Sequence, residues 1–124
     1  MRATLLEFHE GWAWVVIIGN GLAGIWALGA HWKPGLRMRA LWWFTAFVET
    51  AVFVQVGVGV VLVAGKGLSV SRFHMFYGFV AIIAVAIIHA YRSQIAARLV
   101  YLLYGGGGLF VMGLGIRALL VGRT

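Results

Sequence analysis

Apolar residues fill four long stretches of this chain, from Gly11 to Ala30, Ala40 to Ala64, Phe73 to Tyr91 and Leu99 to Leu120, with only short polar connectors between them. A helix needs about 20 mostly apolar residues to cross a hydrocarbon core about 30 Å thick, and each stretch meets that length. A membrane strand would instead read as about ten alternating residues, and a lone span must satisfy its own backbone N–H and C=O groups. The predicted fold is therefore all-α, an integral membrane four-helix bundle running up-down-up-down, with one domain over residues 1–124. The connectors are interface-type turns: His31 to Arg39 holds the single proline, Gly65 to Arg72 carries Lys66 and Arg72, and Arg92 to Arg98 has a charge at each end.

Charge changes this picture little. Ten Lys and Arg against three Asp and Glu give a net charge of +7, which in a soluble protein would point to nucleic acid. Here the basic residues stand at span ends, where their side chains reach lipid headgroups, so the expected partners are the bilayer and a larger membrane complex rather than nucleic acid. The absence of cysteine excludes disulfides, thiolate catalysis and iron-sulfur ligation. Lys33, Arg37 and Arg39 follow the first span while Arg2 precedes it, which by the positive-inside tendency places the termini outside. Arg92 and Arg98 join the first group, and Lys66, Arg72, Arg117 and Arg123 balance them on the other side. The expected setting is a bacterial cytoplasmic membrane, without a cleavable signal, because Glu7, His9 and Glu10 interrupt the amino-terminal region.

Small residues promise close helix contacts, since in lipid there is no hydrophobic drive between helices and backbones must approach. Gly19, Gly24, Gly57, Gly59, Gly108 and Gly113 are the candidate packing positions, and the run Gly105 to Gly108 implies tight packing or a local break. Aromatic residues near the span ends (Trp12, Trp14, Trp42, Trp43, Tyr101 and Tyr104 among them) read as an interfacial belt, with nothing ordering the rings around a common point.

Polar residues inside the spans carry the candidate chemistry. Glu49 and Gln55 lie in the second span and, at 100° per residue, point about 120° apart. Each either bonds across the bundle or, for Glu49, serves a proton or a quinone headgroup. Among the histidines, His9 and His74 stand at the starts of the first and third spans, on one surface, while His31 and His89 share the other. His9 to His31 covers about 33 Å of helix and His74 to His89 about 22 Å, so both pairs cannot be level. One haem, between His9 and His74, survives this geometry. Interfacial histidines bonded to Glu7, Glu10 or a headgroup, and a proton or metal role, remain the alternatives.

The order Glu7-Phe8-His9, then Gln55-x-Gly57-x-Gly59-x-Val61, a short connector and a span opening on His74 resembles one four-helix half of the haem A synthase family. The resemblance implies haem ligation by His9 and His74, with Glu7 as a nearby acid and Gln55 in the same site. Glu10 stands where that family usually has arginine, and this chain carries one four-helix unit where the family has two, so the resemblance implies a b-type haem site rather than haem oxidation. No catalytic residues are assigned: Gly105 to Gly108 lacks the lysine and hydroxyl of a phosphate loop, and no nucleophile-base pair is visible. The leading expectation is a small non-catalytic tetraspan subunit of a larger respiratory or electron-transfer membrane complex. The alternative is a single-haem b electron carrier using His9 and His74.

Overall fold

A computed structural model describes residues 1–122; Arg123, counted above among the basic residues, lies outside them. Four helices follow one another: α1 (Arg2–Trp32), α2 (Arg39–Val60), α3 (Arg72–Tyr91) and α4 (Val100–Gly122). Short 3₁₀ turns at Pro34–Leu36 and Ala97–Leu99 enter the first and last connectors, and a π-helical turn at Val61–Gly65 prolongs α2. All four helices are long and apolar enough to cross a membrane. The fold is the four-helix bundle that the apolar pattern predicts, with one difference at its start. Helix α1 begins at Arg2, nine residues before the apolar stretch, so Glu7, His9 and Glu10 are helical. At 31 residues it is about 46 Å long and overshoots a core of about 30 Å, which leaves its first turns at the interface.

Sequential antiparallel order can be read from contacts. Gln55 of α2 meets His9 while Val48 meets Gly19; on α4, Gly115 meets Ile17 and Gly105 meets Leu28; Ala118 meets His74 while Gly107 meets Ile88. Helix α1 is the most buried of the four and packs closely on both α4 and α2, α3 packs on α4, and of these neighbouring pairs α2 and α3 touch least. One apolar cluster joins Val16, Val52, Val85 and Val111, and a second joins Ala27, Leu41, Ile88 and Tyr104 nearer the other end.

Local chemistry fixes the ends. The Arg37 guanidinium donates to the carbonyls of Ala30 (2.7 Å) and His31 (2.8 Å), satisfying acceptors that the last turn of α1 leaves open. After the π turn, Gly67 takes φ 70°, the left-handed region that suits glycine, and Leu68 N–H donates back to the Leu62 carbonyl (2.9 Å). Ser71 then caps α3: its hydroxyl oxygen accepts from His74 N–H (3.1 Å) and donates to the Val121 carbonyl (3.2 Å). That cap places His74 three residues into α3 and ties it to the end of α4.

The glycine run forms no break, since α4 is continuous through it. A Cβ on Gly24 would stand 2.9 Å from the Gly105 carbonyl oxygen, and one on Gly108 would stand 2.8 Å from the Asn20 carbonyl oxygen, so the α1–α4 seam is backbone against backbone. Gly19 faces Val48 and Gly59 faces His9. A Cβ on Gly57 or Gly113 would meet nothing within 4 Å among the described residues, so neither is a close-contact position within this bundle. Gly57 is two residues from Gly59, about 200° around α2, and Gly113 is five from Gly108, about 140° around α4, so both face away from the seams their neighbours make.

Because the chain has no native cysteine, single cysteines can report sidedness directly. Arg2→Cys and Ser69→Cys should be labelled by an impermeant maleimide from one side of the membrane, and Gly35→Cys and Ser93→Cys from the other. Labelling of Arg2→Cys and Gly35→Cys from the same side would contradict this fold.

Candidate functional site

Two polar constellations lie at opposite ends of the bundle. The first is at the terminal end and joins α1 to α3. The His9 and His74 rings stand 6.0 Å apart, centroid to centroid, at an interplanar angle of 70°. Each ring is seated against a glycine: a Cβ on Gly59 would lie 3.1 Å from His9 Cε1, and one on Gly122 would lie 2.7 Å from His74 Nδ1. His74 Nδ1 lies 2.8 Å from the Ala118 carbonyl, and since a carbonyl only accepts, that nitrogen donates and the Nε2 lone pair of the neutral ring is left free. His9 is held through its backbone, whose carbonyl accepts from Gln55 Nε2 at 2.7 Å. Its Nδ1 is buried without a hydrogen-bond partner among the described residues, as is Gln55 Oε1. Glu7 and Glu10 are exposed, and no hydrogen bond joins either to His9 among the described residues.

The second constellation is at the end where the first and third connectors lie, and it joins α2, α3 and α4. His89 Nε2 is 2.6 Å from Glu49 Oε1, and the Tyr104 hydroxyl is 3.3 Å from His89 Nδ1. The chain Glu49–His89–Tyr104 can be proton-ordered either way, with His89 donating to the carboxylate or accepting from the carboxylic acid. Glu49 is buried while His89 is half exposed, and Arg92 is close enough to act electrostatically on both Glu49 and Tyr104. A cavity of about 400 Å³ opens beside them, lined also by Trp42, Thr45 and Ala46. Thr45 is 6% exposed and its hydroxyl has no partner.

The structure thus brings His9, Gln55 and His74 together, and leaves Glu7 in solvent. His31 instead ties the last turn of α1 to the third connector, its Nδ1 donating to the Arg98 carbonyl at 3.1 Å. Glu49 and Gln55 do bond across the bundle in different directions, as their angular separation requires. What the sequence reading missed is the convergence of Glu49, His89 and Tyr104. The aromatic belt also needs correcting: Trp12 donates to the Ala51 carbonyl (2.9 Å) inside the bundle, and Trp42 orders two rings around itself, Tyr101 at 5.5 Å and Tyr104 at 5.0 Å. Their usable signal was spacing, for Trp42, Thr45, Ala46 and Glu49 fall at i, i+3, i+4 and i+7 on one helical face.

No protein-family model matches this chain, and neither the curated proteins nor the solved structures contain a detectable relative.

Proposed function

We propose that this chain is a membrane electron carrier holding one b-type haem between His9 and His74, with that end of the bundle on the outer side of a bacterial cytoplasmic membrane. The observation that carries the reading is the 6.0 Å separation of the two rings. With metal–imidazole bonds of about 2.0–2.1 Å, two rings sharing one metal ion have centroids about 6 Å apart. The donor set fits as well: the Ala118 carbonyl orients His74 so that Nε2 is the free nitrogen, the second-sphere arrangement usual for ligating histidines. The unpartnered buried nitrogen of His9 and the two glycine seats favour the same reading. A haem held by two histidines supplies one-electron chemistry. The chain's own part is to fix both rings, through Ser71 and Ala118 on one side and Gln55 on the other, and to exclude water with the surrounding apolar helices. The outward orientation rests on Lys33, Arg37 and Arg39 after α1.

The visible spectrum of the purified protein tests this reading. Dithionite reduction should give a sharp bis-histidine haem band that His9→Ala and His74→Ala abolish and His31→Ala leaves unchanged. The second reading, a cofactor-free tetraspan subunit of a larger respiratory complex, is favoured by one observation: at Gly106 and Gly113, seven residues apart on one face of α4, a Cβ would meet nothing within 4 Å among the described residues. That bare face suits a helix of a partner. A protein that shows no haem band and refuses added haem would favour it.

A further inference from the structure

The cavity at the opposite end is a second site, independent of the haem reading. Its origin lies in helix length. Helices α2 and α3 run antiparallel, with Glu49 level with His89; seven residues further along each, Trp42 would face Ala96, but α3 has already ended at Tyr91. The first turns of α2 therefore have Arg92 and the first turns of α4, Val100 and Tyr104, across from them instead of α3, and the space between is the cavity of about 400 Å³. That volume is within the usual range for small-molecule sites, about 300–1,000 Å³.

Polar residues of three helices line this space. Thr45 and Glu49 come from one face of α2, His89 and Arg92 from the last turn of α3 and its end, and Tyr104 from α4. The Thr45 hydroxyl, on a side chain more than nine-tenths buried, is left without a partner. Buried hydroxyls are almost always hydrogen-bonded, and Thr45 is among the residues that line the cavity, so a turn about its χ1 would offer this hydroxyl to a ligand atom. Both His89 ring nitrogens are already bonded, to Glu49 and to Tyr104, so the acceptors left for a ligand are the second oxygen of the Glu49 carboxyl and the Thr45 hydroxyl, while the Trp42 indole and the Arg92 guanidinium are donors. The Glu49 carboxyl in the wall favours a ligand that donates through hydroxyl groups over a phosphate. The walls are aromatic: Trp42 and Tyr104 meet edge to face at 5.0 Å and offer a flat ring a surface to pack on. Access is lateral. Ala46, His89 and Arg92 are exposed whereas Thr45, Glu49 and Tyr104 are buried, so the opening is the loosely packed α2–α3 gap, on the side that lipid covers.

From these features we infer that the cavity binds the hydroxylated ring of a membrane-soluble quinol, arriving from the bilayer between α2 and α3. The ring lies against Trp42, with its hydroxyl groups shared between Thr45 and the Glu49–His89 pair, and its apolar tail leaves past Ala46 into lipid. Ala46 is the residue whose small size keeps the opening clear.

The full chain in nanodiscs, titrated with the fluorescent quinol analogue 2-heptyl-4-hydroxyquinoline N-oxide, tests this. One saturable site per chain is expected, displaced by decylubiquinol. The near-isosteric Thr45→Val should weaken binding about tenfold, the loss of one hydrogen bond, and Ala46→Phe should abolish it. His9→Ala should bind like the parent protein, which separates this site from the haem reading. Helix content and melting are recorded for each variant, and should Ala46→Phe fail to fold, Thr45→Val decides. Absence of saturable binding, parent-like affinity in Thr45→Val or in folded Ala46→Phe, or loss of binding in His9→Ala would overturn the proposal. Displacement by short-chain phosphatidylglycerol but not by decylubiquinol would overturn it in favour of a lipid-headgroup site.

Discussion

Replacing Gly108 with leucine should dismantle the α1–α4 seam and produce the largest loss of stability of any single substitution in the chain. A Cβ at Gly108 would stand 2.8 Å from the Asn20 carbonyl oxygen, 2.9 Å from Gly24 Cα and 3.0 Å from Gly24 N. All three are backbone atoms, so no rotamer change relieves the clash and the helices must separate. Even Gly108→Ala should cost about 1–3 kcal/mol, the usual range for overpacking, and the leucine variant should exceed it. Two other glycines of the same run provide the comparison. At Gly107 the nearest atoms belong to the flexible end of the Ile88 side chain, which can turn aside, so alanine there should cost less. At Gly106 nothing lies within 4 Å, and alanine should be neutral or stabilising by up to about 1 kcal/mol on a scale measured in water. Thermal and SDS-induced unfolding, followed by helical circular dichroism, give the ranking. A Gly108→Leu protein that melts like the parent would show that α1 and α4 do not meet there.

That ranking also marks how far the sequence could be read. Span number, helical state and antiparallel order follow from segment length and connector length, because bilayer thickness and backbone satisfaction leave no other solution. The pairing of His9 with His74 was legible for the same reason: two alternate spans in an antiparallel bundle begin at one surface. Rotation of each helix about its axis was not legible. Gly105 to Gly108 point in four directions, and nothing in their identity says which meets Gly24, which meets Ile88 and which meets lipid. The Glu49–His89 contact was hidden by depth. Glu49 lies ten residues into α2 and His89 two residues before the end of α3, and equal span lengths would put them at different levels. They meet because α3 is shorter than α2 with its π turn; the apolar stretches Ala40 to Ala64 and Phe73 to Tyr91 already differ in length, but length alone does not say at which end the longer span runs on without its neighbour. Trp12 misled for a related reason: an indole near a span end anchors at the interface or, as here, turns inward to donate to a carbonyl of a neighbouring helix.

His89→Leu should destabilise the bundle more than Glu49 and His89 replaced together, because the single change leaves a buried carboxyl group without its main partner. Glu49 is 7% exposed and is joined to His89 at 2.6 Å; in a fully buried pair, removing one partner costs about 3–5 kcal/mol. The His89 side chain is 47% exposed, so water and headgroups share its hydration and the expected loss is smaller, about 1–3 kcal/mol, the range for a stranded buried polar group. Glu49→Gln should be milder, since an amide can still hydrogen-bond the imidazole. The double variant Glu49→Leu/His89→Leu removes both the charge and its need for a partner, and apolar replacement of a buried pair is often close to neutral. Its cost should therefore fall below the sum of the two single leucine variants by about 1 kcal/mol or more, the coupling expected of residues in direct contact. Unfolding free energies of the four proteins, measured in one detergent, complete the cycle. Strict additivity would mean that Glu49 draws its stability from elsewhere, with Arg92 and Tyr104 as the remaining partners on the cavity wall. A coupling that also weakens in Tyr104→Phe would show the three side chains acting as one hydrogen-bonded chain.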